Sequence, residues 1–401
     1  MRILMISPTL PWPLNMGTKI RIYHVLRELA RAGHEVTLLT LAHEPYGPED
    51  LGALNAHCHE LHVVPVKNRP RPKAALKSLI SRKPYRVAKF ESQKFRQAVA
   101  QTLQKNYDIL WVHFMETLAY VPQSYTRKKR LLLVLDQHNA DERFWETYAR
   151  EGWLWTRLFA KINLWQLRKF QTFALKRVDV IMSTSKEDAD FTRTRLPNPA
   201  TQVWVVPNGV DTESFCLPDT AERKNRIIFC GTMDVLMNID AVEWFACQIF
   251  PKIRKTVPDA EFWIVGRDPV PRVKALGSLP GVRVTGRVED IRPYYTKAKV
   301  AVAPFRYGGG TKIKVLEAMA LGVPVVATSV GCQGIKVTPG KHLFKEDNEE
   351  SFAQRVVILM QDKNLRLKMT TEARRLVEER YSWHAIMDDT IRRLEQMVSK
   401  R

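Results

Sequence analysis

Residues 302–331 read VAPFRYGGGTKIKVLEAMALGVPVVATSVG and combine apolar runs, glycines and a helical pattern. An apolar run leads into three glycines, and a helical pattern follows that begins at Thr311 and ends near Gly322. A second apolar run then predicts another buried strand. Because glycine lacks a Cβ, backbone N–H groups can approach an anion here, and the helix directs its positive end to the same place. The stretch therefore predicts a phosphate-binding turn.

The charged side chains of this stretch suit a sugar carried on a diphosphate. Lys312 and Lys314 supply positive charge that we expect to be mobile, and Glu317 lies one turn into the helix. A carboxylate accepts several hydrogen bonds at once, which fits sugar hydroxyls. A glycine-rich turn alone is equally compatible with an ordinary strand-to-helix corner. The pattern K-x-x-E-A-x-A-x-G-x-P-V-V-A-T that begins at Lys314 favours the functional interpretation.

The run KVLEAMALGVPVVATSVG at 314–331 closely resembles the donor-site signature of family 4 glycosyltransferases, which are retaining, nucleotide-sugar-dependent enzymes with the GT-B fold. The resemblance implies that Glu317 contacts the ribose of the donor. In that family a second glutamate, eight positions upstream, contacts the transferred sugar. This chain has Gly309 at that position, so it resembles the GGGT-K subgroup and its way of recognising the sugar is left open.

The N-terminal half begins with a strand–helix–strand unit. RILMI at 2–6 predicts a buried strand, a proline-rich loop follows, and a helix after Gly17 ends at Gly33 before the strand HEVTLLTL. Open α/β sheets bind ligands at the carboxyl ends of their strands, where this loop lies. P-x-P, Gly17, Arg21 and G-H-E-V resemble the family's N-terminal pattern. The resemblance implies that Gly17 faces the donor phosphates and the acceptor, and that Arg21 lies on the acceptor side; a plain turn and helix is the alternative.

Two later strands of this half are predicted in NYDILWVHF and in RKKRLLLVLDQHNADERFW, the second of which ends at Asp136. His138 and Asn139 follow at the ligand edge of the sheet. By resemblance, Asn139 lies on the acceptor side and His138 lies near the reaction centre. There, His138 would orient or deprotonate an acceptor hydroxyl, or hydrogen-bond the transferred sugar. A loop histidine without a role is the alternative.

The C-terminal half opens with RIIFCGTMDVLMNIDAVEWF, which predicts a strand, a turn at Gly231 and a helix started by Asn238. Many family members carry an Arg and a Lys after this strand for the diphosphate. Neither is present here, so Lys312 and Lys314 become the candidates for that role.

Two more strands end at GRDP and at GRVED, and the resemblance implies that these edges hold the nucleoside. Together with the glycine-rich turn they complete the expected donor site. The predicted donor-binding residues are Gly17, Gly231, Asn238, Gly266, Arg267, Gly286, Arg287, Val288, Tyr307, Gly308, Gly309, Gly310, Thr311 and Lys312, and the predicted catalytic residues are His138, Lys314 and Glu317.

The expected fold class is α/β: the GT-B fold, with two Rossmann-like doubly wound domains facing each other across a cleft. We expect an N-terminal acceptor-side domain over residues 1–205 and a C-terminal nucleotide-sugar-binding domain over 206–380. A last helix, over 381–401, should return to the first domain. The landmark P-N-G-V-D at 207–211 marks the start of the linker. With 401 residues, 45% of them hydrophobic, the chain can build two cores.

The charge balance favours an anionic partner. The chain has 63 Lys and Arg against 42 Asp and Glu; residues 1–205 hold 32 and 18 of these, a balance of +14 that leaves +7 for the rest. A nucleic acid, an acidic bilayer and a nucleotide sugar all suit such an excess. We find no recognised nucleic-acid-binding motif, so we expect no nucleic acid as partner.

Two segments favour a membrane surface. Residues 61–90 contain nine basic residues and no acidic one, and residues 153–170 interleave aromatic with basic side chains. Both compositions fit an anionic bilayer. A solvated charged face and a helix packed on its own domain are the alternatives. Within the first segment, the expected apolar side of a short helix consists of Ala74, Leu76, Leu79 and Ile80.

The cysteines and the N-terminus indicate the compartment. Five cysteines, an odd number and never closer than fourteen positions, indicate neither a zinc site nor a disulfide framework. The first apolar run is too short for a signal peptide, and no apolar run of 18 residues occurs. We expect a cytoplasmic protein that is either free or peripheral on the inner face of the membrane.

The sequence as a whole predicts a retaining glycosyltransferase. It would move a sugar from a nucleoside diphosphate to a lipid-linked or saccharide acceptor in polysaccharide or glycolipid biosynthesis. No metal or other cofactor is expected, because amides, a helix N-terminus and lysines would stabilise the leaving diphosphate. The alternatives are a GT-B sugar-nucleotide epimerase and a basic nucleic-acid-binding protein. Such an epimerase normally needs acidic residues in the cleft, and the position of Gly309 supplies none.

Overall fold

The computed structural model describes residues 1–66, 70–123, 131–138, 141–151, 153–217 and 223–401. Asn139 therefore lies outside the described residues, as do Lys67 and Arg69 of the basic segment. The chain forms two compact units: the first comprises Met1–Pro207 and Met387–Arg401, and the second comprises Asn208–Ile386.

The boundaries of the units differ from the predicted 205/206 and 380/381. The backbone N–H of Val210 donates to the carbonyl of Tyr381 at 2.8 Å, and the N–H of Trp383 donates to the carbonyl of Val210 at 3.3 Å. Gly209 lies against the side chains of Trp383 and Ile386. These contacts keep the start of the last helix in the second unit.

In the first unit, the described residues form a parallel sheet in the order β3-β2-β1-β4-β5-β6-β7. The strands are β1 Arg2–Ser7, β2 Glu35–Ala42, β3 Glu60–Pro65, β4 Ile109–His113, β5 Leu132–Gln137, β6 Val180–Ser183 and β7 Gln202–Val205. The helices are α1 Gly17–Arg31, α2 Pro48–Asn55, α3 Arg71–Ser81, α4 Tyr85–Lys89, α5 Gln93–Thr102, α6 Asp141–Glu151, α7 Leu154–Leu175 and α8 Lys186–Arg193. A 3₁₀ turn spans Met115–Tyr120.

In the second unit, the sheet order is β10-β9-β8-β11-β12-β13, again with parallel pairing among the described residues. The strands are β8 Lys224–Cys230, β9 Glu261–Val265, β10 Val282–Gly286, β11 Ala298–Ala303, β12 Val325–Ala327 and β13 Phe344–Lys345. The helices are α9 Leu236–Trp244, α10 Phe250–Thr256, α11 Pro271–Ala275, α12 Arg292–Thr296, α13 Ile313–Ala320, α14 Glu349–Gln361, α15 Lys363–Arg380 and α16 Trp383–Ser399, which runs on into the first unit.

Each sheet reverses its strand order at one place, and this place locates the expected ligand site. The reversal lies between β1 and β4 in the first unit and between β8 and β11 in the second. Ligands of doubly wound sheets bind outside the carboxyl ends of the strands at such a point. The loop after β1, the ends of β4 and β5, the Gly231 turn and the glycine-rich turn all lie at these edges.

Burial on both sheet faces explains why the strands read as continuous apolar runs. Ile3, Leu4, Met5 and Ile6 of β1 are all fully buried. Strands covered by helices on both faces have no solvent side on which a polar residue would be favoured. None of the helices in the described ranges is long and apolar enough to cross a bilayer.

Two helix starts differ from the prediction. Helix α13 begins at Ile313 rather than Thr311, and Gly322 closes it with a φ of 64°. Helix α9 begins at Leu236, so Asn238 lies inside its first turn and does not cap it. The amide of Asn238 instead donates to the carbonyl of Thr232 at 2.8 Å, which stabilises the turn before the helix.

Candidate active site

In the first unit, the predicted histidine belongs to a buried polar cluster at the ends of β4 and β5. His138 is 7% exposed, and its Nε2 atom lies 3.3 Å from Nδ1 of His113, the last residue of β4. The same His113 atom lies 3.2 Å from Oδ2 of Asp136. The ring of Phe114 lies against His138, with 4.1 Å between the centroids. Sequence reasoning missed His113, although its place at the end of the strand beside β5 was an available signal.

Asp136 is held by a buried arginine from helix α1. Nε of Arg21 donates to both carboxylate oxygens at 3.0 Å, and Nη2 donates to Oδ1 at 2.7 Å. Nη1 donates to the carbonyl of Pro207 at 3.1 Å. Burial alone would raise the pKa of Asp136, but the Arg21 guanidinium and the hydrogen bond with His113 hold it well below its ordinary value. Asp136 is therefore ionised, and the Arg21 guanidinium is engaged inside the unit.

The ionised carboxylate fixes the proton positions on both histidines. Because Asp136 only accepts hydrogen bonds, the proton of His113 lies on Nδ1, which faces it. His138 then presents an unprotonated Nε2 to the same Nδ1–H, so the proton of His138 lies on Nδ1. Burial lowers the pKa of His138 well below its ordinary value despite the nearby carboxylate, so the ring is neutral. A neutral His138 of this tautomer can donate a hydrogen bond from Nδ1.

His113, Asp136 and His138 also have ligand-type atoms within 4.8 Å of one another. A metal ion among them would lie beside the guanidinium of Arg21, which already occupies both carboxylate oxygens. The like charge of a buried arginine opposes a cation at this place. The donor set therefore fits a hydrogen-bond network better than a metal centre.

In the second unit, the glycines at the ends of β8, β9 and β10 meet at close range. A Cβ on Gly266 would lie 1.8 Å from the carbonyl oxygen of Gly231, so no other residue fits there. The N–H of Gly266 donates to the carbonyl of Gly286 at 3.3 Å. The structure thus brings these three predicted residues together at the edge of the sheet.

Lys314 lies in the middle of this edge. Its Nζ donates to Oδ1 of Asn238 at 2.9 Å and is the nearest atom to the position that a Cβ on Gly231 would take, 2.7 Å away. The ammonium also lies over the rings of Phe229, at 3.9 Å, and Phe305, at 4.7 Å. Contact with ring faces favours the charged form. Sequence reasoning missed both aromatic residues because they read as ordinary core positions of strands.

The glycine-rich turn is shaped by Lys312. Its Nζ donates to the carbonyls of Gly308, Gly309 and Gly310 at 3.1, 2.9 and 3.1 Å. Lys312 is only 6% exposed. The expectation of mobile charge at Lys312 and Lys314 is therefore wrong, because both ammonium groups have fixed partners.

The three glycines differ in what they require. Gly308 and Gly310 have φ values of 109° and 76°, which other residues rarely adopt. A Cβ on Gly308 would also lie 2.8 Å from Sδ of Met237. A Cβ on Gly309 would meet nothing within 4 Å. A side chain can therefore be placed at position 309, where the family carries its second glutamate.

Lys314 and Glu317 are both half-buried, and burial favours the uncharged form of each side chain. Burial lowers the pKa of Lys314 to about 7, against the opposing attraction of Cys230 and Glu317. Burial raises the pKa of Glu317 to about 7, against the opposing attraction of Lys314. Perturbed groups of this kind at a ligand edge are typical of functional sites.

The other predicted donor residues differ in their exposure. Thr311 is buried, and its Oγ1 lies beside Gly334. Tyr307 is 49% exposed. The remaining residues are Gly17, which is exposed at the start of α1, Arg267, whose carbonyl accepts from the N–H of Met233 at 2.8 Å, Arg287, which is exposed, and Val288, which packs against the core.

Two family models match the chain. One, described as Glycosyltransferase Family 4, matches residues 17–214, and the other, described as Glycosyl transferases group 1, matches residues 224–362. The chain belongs to glycosyltransferase family 4. The resemblance inferred from 314–331 is thereby confirmed, and the protein is a glycosyltransferase enzyme.

Two other proteins are similar to this chain in sequence. The glycosyltransferase is 20% identical to an uncharacterized 44.6 kDa protein in the cps region of Klebsiella pneumoniae, over 89% of this chain and 90% of that protein. It is 31% identical to a phosphatidyl-myo-inositol mannosyltransferase of Mycolicibacterium smegmatis, over 48% of this chain and 52% of that protein.

Solved structures confirm the fold class. A sucrose-phosphate synthase from Thermosynechococcus elongatus superimposes with a TM-score of 0.71 at 16% identity, over 100% of both chains. Anabaena HepE, solved in complex with UDP, superimposes with a TM-score of 0.65 at 15% identity, over 99% of this chain and 100% of that chain. The glycosyltransferase thus has the α/β fold of GT-B enzymes, with two doubly wound sheets.

Proposed function

We propose that the protein transfers a hexose from a nucleoside diphosphate sugar to a lipid-linked or saccharide acceptor, with retention at the anomeric carbon. The observation that carries the proposal is the position of Lys314, held by Asn238 above two aromatic rings at the strand-order reversal of the second unit. Lys314 would face the negative charge that develops on the leaving diphosphate. Preorganised cations and amides stabilise such charge strongly where water is excluded.

The other groups follow from this assignment. The first N–H groups of α13 lack intrahelical partners and direct positive potential at the same anion. Glu317 would accept hydrogen bonds from the donor ribose. In the first unit, neutral His138 would donate from Nδ1 to a sugar or acceptor oxygen. We expect no metal requirement, because these groups supply the positive charge.

Mannose is our first choice for the transferred sugar. The support comes from the relatives: besides the Mycolicibacterium enzyme, a lipopolysaccharide core mannosyltransferase of Rhizobium meliloti is 29% identical over 185 residues. Both relatives are named for acceptors that are lipids or lipopolysaccharide. A further relative, from Corynebacterium glutamicum and 28% identical over 204 residues, is named as GDP-mannose-dependent. We therefore propose GDP-mannose as donor and a lipid-linked acceptor in glycolipid or polysaccharide biosynthesis.

Product analysis tests the proposal. The protein is incubated with GDP-mannose or UDP-glucose and a lipid-linked acceptor fraction, and the product is examined by NMR for its anomeric configuration. We expect a new glycoside with the configuration of the donor. A product of inverted configuration would contradict retention, and a nucleotide sugar altered at carbon 2 without a glycoside would identify an epimerase instead.

The activity should depend on pH on both sides of neutrality. Glu317 must be ionised to accept hydrogen bonds and Lys314 protonated to bind the diphosphate, and both have pKa values of about 7. Protonation of Glu317 then lowers kcat/KM as the pH falls below 7, and deprotonation of Lys314 lowers it as the pH rises above 7. We expect a narrow, bell-shaped dependence of kcat/KM on pH. In Glu317→Gln, the fall of kcat/KM below pH 7 should disappear. A flat profile from about pH 6 to 8 would contradict the assignment.

Gly309→Glu should change the choice of sugar without unfolding the protein. A Cβ at 309 meets nothing within 4 Å, so the new carboxylate can face the ligand as the family's second glutamate does. We expect the ratio of kcat/KM for GDP-mannose and UDP-glucose to change about tenfold, the size of one charge-assisted hydrogen bond. Gly308→Glu is the matched control, because its φ of 109° and the Met237 sulfur should make it lose stability. An unchanged ratio in Gly309→Glu would exclude close contact at 309.

A further inference from the structure

Helix α7 exposes large apolar side chains along the side that faces away from its own unit. Its inward side consists of Ala160, Asn163, Gln166, Leu167, Ala174 and Leu175. On the outward side, Leu158 is 52% exposed and Trp165 is 57% exposed. Just before and at the start of the helix, Trp153 and Trp155 are 78% and 67% exposed. The helix is thus packed on its unit along one side only.

Helix α3 borders this surface. Oγ of Ser78 donates to Oε1 of Gln166 on α7 at 3.1 Å, and Nε2 of Gln166 donates to the carbonyl of Ser78 at 3.3 Å. The predicted apolar side of α3 is divided, because Ala74 is buried while Leu76, Leu79 and Ile80 are exposed. We call the exposed apolar and basic side chains of α3 and α7 together the α3–α7 face: Lys73, Leu76, Leu79, Ile80, Trp153, Leu154, Trp155, Arg157, Leu158, Lys161, Trp165 and Lys169.

All the charged side chains of the α3–α7 face are basic. Neither residues 71–81 nor residues 154–175 contain an acidic side chain. Neighbouring acids already pair with other bases: Glu91 with Lys77 and Lys83, and Glu142 with Arg168. Lys169 lies 5.4 Å from the centre of the Trp165 ring, so a cation stands directly beside an exposed aromatic.

We propose that the α3–α7 face docks on an anionic lipid bilayer. Indole rings favour the headgroup region, where their apolar body and N–H are both accommodated, and long basic side chains reach the lipid phosphates from the same depth. A second copy of this chain fits less well. A symmetric dimer would place the same face on both sides, and its cations would then oppose one another.

The docking face is connected to the catalytic edge of the same unit. The N–H of Tyr85, the first residue of α4, donates to Oδ1 of Asn163 on α7 at 2.6 Å. The next residue, Arg86, lies over the ring of Phe114 at 5.1 Å, and Phe114 lies against His138. These three contacts link α7 to the His138 edge within one packed unit, so docking would fix the orientation of that edge relative to the bilayer. Only this link to a lipid-linked acceptor depends on the proposed function.

Sedimentation with vesicles tests the proposal in the absence of donor and acceptor. The 401-residue protein is mixed with phosphatidylcholine vesicles with or without about 30% phosphatidylglycerol, at about 0.05 M and about 1 M salt. We expect strong binding to anionic vesicles at low salt, weak binding to neutral ones, and a residual apolar contribution at high salt. Equal binding to both vesicle types, or none to anionic vesicles at low salt, would overturn the proposal.

Two sets of variants separate the contributions. Arg157→Gln/Lys161→Gln/Lys169→Gln should weaken binding to anionic vesicles roughly a hundredfold, and Trp153→Ser/Trp155→Ser should remove the binding that persists at high salt. Leu367→Ser, at a position 66% exposed in the second unit, is the matched control and should bind like the wild type. Unchanged binding in both variant sets would overturn the proposal. So would a wild-type dimer that the tryptophan variant converts to a monomer, because that result assigns the face to a second copy.

The vesicle result and the transfer result are independent. Both variant sets should retain transfer to a water-soluble acceptor, because these side chains belong to neither cluster of the candidate site. Vesicle binding without transfer would refute the proposed function and leave the docking face in place. Transfer without vesicle binding would do the opposite.

Discussion

Glu317→Ala is expected to lower the kcat/KM of sugar transfer by roughly ten- to a thousandfold, as the loss of one or two charge-assisted hydrogen bonds to a ligand does. Glu317 lies one turn into α13, three residues after Lys314. Burial raises the pKa of Glu317 to about 7, and the attraction of the Lys314 ammonium opposes this rise. Removing the carboxylate also leaves Lys314 without its nearby counter-charge. The measurement is the initial rate of transfer at several donor concentrations.

Two further variants make this result specific. Glu317→Gln keeps the shape and tests the charge alone. Glu350→Ala removes an exposed carboxylate of the same unit, 62% exposed and paired with Lys252, and should transfer like the wild type. Kinetics unchanged in Glu317→Ala would show that the donor-site assignment is wrong.

Asp136→Asn is expected to destabilise the protein by about 3–5 kcal/mol, because it leaves the Arg21 guanidinium buried without a counter-charge. For a unit of this size, the loss corresponds to a fall in melting temperature of roughly 6–20 °C. Asp190→Asn is the matched control, because Asp190 pairs with Arg193 at the surface and exposed pairs contribute little.

A double variant separates stability from positioning. Arg21→Met/Asp136→Leu replaces the buried ion pair with apolar side chains and should recover much of the lost stability. It should not recover transfer, because His113 then has no carboxylate to fix its tautomer and that of His138. Full activity in this stable double variant would contradict the role of the cluster. An Asp136→Asn variant that melts like the wild type would contradict the buried pair.

The sequence predicted the fold well because its signals are local. Short segments of the sequence contain the apolar runs of β1, β8 and β11 and the glycines that follow them. Each such segment predicts a buried strand that ends in a turn at the ligand edge of the sheet. The run from Lys314 to Gly331 was specific enough to predict the family. The boundary at 386/387 could not be predicted, because it depends on hydrogen bonds of Val210 with Tyr381 and Trp383, which are far from it in the chain.

The chemistry of individual side chains was harder to predict. The charge of Lys312 was expected to be mobile, but three carbonyls converge on its ammonium in a turn where Gly308 and Gly310 have positive φ angles. His113 meets Asp136 and His138 only after β4 pairs with β5. Such contacts join residues that no sequence window contains. Likewise, the sequence of α3 alone could not show which of its apolar residues are buried and which are exposed, because this depends on how α3 packs against α7.

Binding of the sugar nucleotide shows whether Lys314 and Glu317 form the donor site. The melting temperature of the protein is measured with GDP-, UDP- and TDP-sugars, for the wild type, Lys314→Met, Glu317→Gln and the surface control Lys252→Met. We predict that one sugar nucleotide, GDP-mannose first, stabilises the wild type and the control by about 2.7 kcal/mol at a concentration 100 times its dissociation constant. At the same concentration the two site variants should gain much less. Equal stabilisation of Lys314→Met and the wild type, or no stabilisation of the wild type by any of the sugar nucleotides, would contradict the account.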